Sequence, residues 1–75
     1  MPVLKETITH GDYKNVNTVE FTGSPTAADV SQLLSQSPWN SAAATDAAKV
    51  DRILKRLLAG NRAGHGWAWF TIEDN

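Results

Sequence analysis

Between Ala47 and Leu58 the apolar residues Val50, Ile53, Leu54, Leu57 and Leu58 recur at steps of three and four. With Ala43 and Ala47 they form one stripe at helical spacing, and Gly60 follows where a left-handed residue can end a helix. The spacing predicts a helix that begins near Ser41 or Thr45 and runs to Ala59. A helix with one apolar face must bury that face against another layer. The other layer has to come from the same 75 residues, enough for one domain and one core.

The rest of the chain offers β-strands. Val3–Thr9 and Val16–Thr22 are rich in β-branched residues, with Val19 and Phe21 on one face of the second segment and Thr18, Glu20 and Thr22 on the other. Between them, His10–Asn15 carries turn residues, and the expected hairpin has a loop longer than the tight two-residue kind. Gly23–Thr26 breaks the pattern and starts a helix, with either Ser24 or Thr26 as its cap and Asp29 near its positive end. Ala27, Val30, Leu33 and Leu34 form the stripe of this shorter helix, which Ser35–Ser41 ends around Pro38. Trp67–Ile72 reads as a last strand with large apolar groups on both faces, so either both are buried or one aromatic face stays open to a partner. The expected architecture is α+β: strand, strand, helix, helix, strand, in one antiparallel sheet with both helices on one face.

The chain has no cysteine, so neither disulfides nor thiolate zinc sites support its small core. It begins without the basic start and apolar run of a secretory signal, and no stretch approaches the ~20 apolar residues that span a bilayer. These features lead to the expectation of a cytoplasmic protein without membrane contact. A formal net charge of −1 conceals a strong asymmetry. Lys49–Gly66 carries Lys49, Arg52, Lys55, Arg56 and Arg62 against Asp51, a local +4, whereas residues 1–48 sum to −3 and Glu73–Asp74 adds −2. Such a dipole orients a protein on an anionic partner, although a basic helix face also serves plain solubility.

Catalytic and metal chemistry lack a pattern. His10 and His65 are isolated from one another and from any i, i+4 imidazole partner, and no Gly-x-Ser-x-Gly elbow accompanies the serines. Gly60–Gly66 is glycine-rich, but it follows a helix instead of opening one, so it does not match a phosphate-cradling loop. A non-catalytic binding protein that needs no cofactor is therefore expected. Two surfaces present themselves. Lys49, Arg52 and Arg56 share one helix face with Lys55 on its far flank, and Arg62 and His65 stand in the glycine-rich turn, a set suited to nucleic acid or another anion. Trp39, Trp67 and Trp69, with Tyr13, are the residue types that dominate protein interfaces, although a domain this small also needs tryptophan for its core.

Thr26–Leu34 (TAADVSQLL), Ala47–Gly60 (AAKVDRILKRLLAG) and Asn61–Ile72 together resemble part of a winged helix-turn-helix domain, over about two-thirds of the chain. The resemblance implies that the second of these segments enters a DNA major groove and the third is the wing. Lys49, Arg52 and Arg56 would then face the groove, and Arg62 and His65 would occupy the wing tip. The chain departs from that family in having a hairpin where another helix is usual, a long connection from Ser35 to Thr45, and a net acidic composition. The competing expectation is a protein-binding regulator or inhibitor of the kind phages and mobile elements encode, acting through the aromatic strand and self-associating as a homodimer.

Overall fold

The computed structural model describes residues 1–74. β1 (Pro2–His10) and β2 (Tyr13–Glu20) form an antiparallel hairpin, followed by α1 (Ala27–Ser35), a 3-10 turn over Ser41–Thr45, α2 (Ala47–Leu58), and a second hairpin of β3 (Ala63–His65) and β4 (Ala68–Asp74). The sheet order is β2-β1-β4-β3, with every pair antiparallel. Both terminal strands are thus central, and the sheet has four strands where the sequence suggested three. This is the expected α+β architecture.

Local chemistry explains most boundaries. The first hairpin is tighter than its composition suggested: His10 pairs with Tyr13 across Gly11-Asp12, and Gly11 takes φ 60°. A positive φ at the first loop residue alone is what a type II′ turn requires, and it lets β2 begin at Tyr13. Thr26 caps α1 through a reciprocal box, its hydroxyl accepting from the Asp29 N–H (3.3 Å) while Asp29 Oδ2 accepts from the Thr26 N–H (2.8 Å). The second helix is not continuous from Ser41. Asp46 interrupts it by leaving the helical conformation (ψ 100°), and its carboxylate caps α2 by accepting from the N–H groups of Ala48 and Lys49. At the other end Gly60 (φ 84°) closes a Schellman motif, with Gly60 N–H donating to Leu57 O and Asn61 N–H to Arg56 O.

The core lies between one face of the sheet and the two helices. Leu4, Ile8, Val19, Phe21, Ala63, Ala68 and Phe70 meet Val30, Leu33 and Leu34 of α1 and Val50, Ile53 and Leu57 of α2. Leu58, placed on the buried stripe by its spacing, is 55% exposed. In β4 the inward residues are Ala68 and Phe70, while Trp69 and Thr71 belong to the opposite face, over which no helix packs. Among the described residues no helix is long and apolar enough to cross a membrane.

Candidate interaction surface

Three connections converge at one end of the sheet: the β1–β2 turn, the β3–β4 turn through Gly66 (φ 61°), and the Pro38–Asn40 stretch after α1. Each contributes rings. Trp39 lies nearly parallel to Tyr13, with centroids 5.1 Å apart and planes 14° from one another. His10 meets Trp39 edge-on at 5.6 Å and Trp67 at 4.4 Å. The result is a continuous row, Trp67–His10–Trp39–Tyr13. It faces water: Trp67 is 58% exposed, Trp39 42% and Tyr13 39%. Trp69 stands apart, half-buried on the uncovered face with the Arg62 guanidinium 5.6 Å above its ring.

A buried carboxylate holds this end together. Glu6 shares a face with Leu4 and Ile8, is fully buried beneath the helices, and was not among the residues the sequence singled out. Its two oxygens accept from Asn17 Nδ2 (3.1 Å) and Asn40 Nδ2 (3.2 Å). Asn40 follows Trp39, and the buried Ser37 hydroxyl accepts from the N–H groups of both, at 3.3 and 3.1 Å. The connection that carries Trp39 is therefore tied to the central strand. In Glu6→Gln one acceptor becomes an NH2 group facing an Asn NH2 donor, so a buried donor loses its partner. The expected destabilisation is about 1–3 kcal/mol, with loosening of the Trp39–Tyr13 stack. Chemical denaturation and tryptophan fluorescence check it, and an unchanged stability would show that Glu6 does not secure the connection.

The basic residues gather along the β3 edge of the sheet. Arg52 Nη2 donates to Gly64 O (3.1 Å) and Arg56 Nε donates to Arg62 O (3.2 Å). The matching is geometric: four residues of helix rise about 6 Å, and two residues of strand span about 6.8 Å. Two arginines one helical turn apart thus cover the carbonyl of Gly64 in the edge strand and that of Arg62 just before it, blunting this edge against unwanted pairing. Lys55 pairs with Asp51 at 2.9 Å, and Lys49 approaches Asp46 at 4.0 Å. Arg52 and Arg56 keep guanidinium donors beyond those used on Gly64 and Arg62. His65 sits beside this group. Its pKa lies below the ordinary 6.5, first because burial disfavours the charged ring and then through the positive charges of Lys49 and Arg52, against which Glu6 and Asp46 act.

The structure thus brings Trp39 and Trp67 together with Tyr13 and His10, separates Trp69 from them, and assembles Lys49, Arg52, Lys55, Arg56, Arg62 and His65 around α2 and β3. No protein-family model matches the chain, and no curated protein or solved structure matches it either.

Proposed function

We propose that this chain is a cytoplasmic, non-catalytic recognition module that docks a partner protein through the row Trp67–His10–Trp39–Tyr13. The observation that carries the reading is the exposure of three large aromatic side chains in mutual contact at one end of a small domain. Contiguous exposed apolar surface is uncommon on soluble monomers and marks interaction sites. Tryptophan and tyrosine also supply much area for few rotatable bonds, and here stacking and the Glu6–Asn40 tie have already restricted them, which lowers the cost of ordering on binding. A fitting partner offers an apolar groove with acceptors at its rim for the indole N–H groups. The test is affinity capture from cells carrying the gene, comparing the native chain with Trp39→Ala and Trp67→Ala. Loss of a shared partner supports the site, and an unchanged partner set rules it out.

A second reading is nucleic-acid contact through α2 and the β3–β4 hairpin, in keeping with the winged-helix resemblance. It is favoured by the exposure of Lys49, Arg52, Lys55, Arg56 and Arg62 on neighbouring elements. Four or five phosphates neutralised by them would give a log–log salt slope of about −4 on duplex DNA. An Arg52→Ala/Arg56→Ala variant should then lose binding. Absence of binding to any duplex or single strand at low salt would eliminate this reading. The aromatic reading ranks first because Arg52, Arg56 and Lys55 already make hydrogen bonds or ion pairs within the chain.

A further inference from the structure

The two edges of the sheet are treated differently. Arg52 covers the outward carbonyl of Gly64 in β3 and Arg56 that of Arg62 just before it, whereas β2 is an eight-residue edge strand with nothing equivalent. Its outward backbone groups follow from the register. Phe21 N–H donates to Pro2 O, so the odd-numbered residues of this segment turn their backbone toward β1. Lys14, Val16, Thr18 and Glu20 then turn N–H and C=O away from the sheet, and no hydrogen bond among the described residues reaches those groups. Their side chains are all exposed and lie on the helix-free face, opposite Thr9, Thr7, Lys5 and Val3 of β1.

The geometry points to a second copy of this chain as the occupant of that edge, with the two β2 strands pairing antiparallel about a two-fold axis at Asn17. In that register Lys14 of each copy lies opposite Glu20 of the other, and Val16 opposite Thr18. All four are residues with outward backbone groups, so each such pair exchanges two hydrogen bonds. The opposite charges meet twice, once on each side of the axis, and the β-branched pair, with Val16 43% exposed in the single chain, packs between them. A strand protected against pairing carries charges that repel a copy of itself. Here Lys14 and Glu20 stand three residues either side of Asn17 with opposite signs, so self-pairing turns them into attractions. The product is one continuous eight-stranded sheet with all helices on one face and an aromatic end at each extremity. It uses none of the contacts within the ring row and does not depend on the function proposed for it.

Sedimentation equilibrium and light scattering across a concentration series test the assignment. The native chain is expected to dimerise. Val16→Pro removes an outward N–H that the single chain does not use, a position where an edge strand tolerates proline, and should yield a folded monomer by circular dichroism. Lys14→Glu should raise the dimer dissociation constant about tenfold or more by setting like charges opposite one another, and Lys14→Glu/Glu20→Lys should restore it. A native chain that stays monomeric up to about 1 mM overturns the proposal. So does a dimer that withstands both Val16→Pro and Lys14→Glu, since it must use another surface.

Discussion

Phe70→Ala is expected to remove a large part of the stability of the domain. Phe70 is fully buried at the centre of the sheet, paired across to Glu6 on one side and to Ala63 on the other. Truncating such a ring costs about 3–5 kcal/mol, from lost transfer energy and from the cavity left behind. A domain of 75 residues has about 4–11 kcal/mol in total by the usual per-residue range, so the loss is a large part of the whole. For a domain of this size it corresponds to a fall of about 12–40 °C in melting midpoint. The cavity would also open beside the Glu6 carboxylate and admit water to the hydrogen bonds that hold Asn40. Phe70→Leu, which keeps part of the volume, should lose less. A calorimetric shift of only a few degrees for the alanine variant would mean that the core is centred elsewhere.

That ring and the two indoles that precede it were equivalent in the sequence, because Trp67–Ile72 is apolar on both faces. Periodicity was enough where one face is buried and the other wet: Val50, Ile53 and Leu57 in α2, and Val19 and Phe21 in and just after β2, stand as their spacing implied, and of the two caps the sequence allowed for α1 the Thr26–Asp29 box is the one formed. What could not be read depends on partners distant in the chain. Ala63-Gly64-His65 has little intrinsic preference for a strand and becomes one through pairing with β4 and the arginines of α2. Arg52 and Arg56 show in sequence as free positive charge, since the carbonyls they reach leave no mark there. Glu6 looks like a solvent-facing position, and its burial is satisfied by Asn40, 34 residues away. The types of residue at the aromatic end were evident, but their contact was not. Tyr13, Trp39 and Trp67 meet only because the two hairpin turns and the connection after α1 finish at the same place.

Trp39→Ala and Trp67→Ala should separate binding from folding. Both rings are more than two-fifths exposed, so their removal is expected to change stability by about 1 kcal/mol or less. If the row is a binding site, each is a hot-spot residue, and truncation should cost about 2 kcal/mol of affinity or more, roughly thirtyfold in dissociation constant. Trp39 and Tyr13 share a stacked contact, so their double variant should lose less than the sum of the single losses, by about 0.5–1.5 kcal/mol. Trp67 touches His10 instead and should combine with Tyr13→Ala nearly additively. Trp69→Ala is the control. It lies off the row, under Arg62, and its loss should be felt in stability while partner affinity is kept. Titration calorimetry with the captured partner distinguishes the alternatives. If Trp69→Ala abolishes binding while Trp39→Ala and Trp67→Ala do not, the partner occupies the helix-free sheet face, and the exposed row serves to close the end of the core.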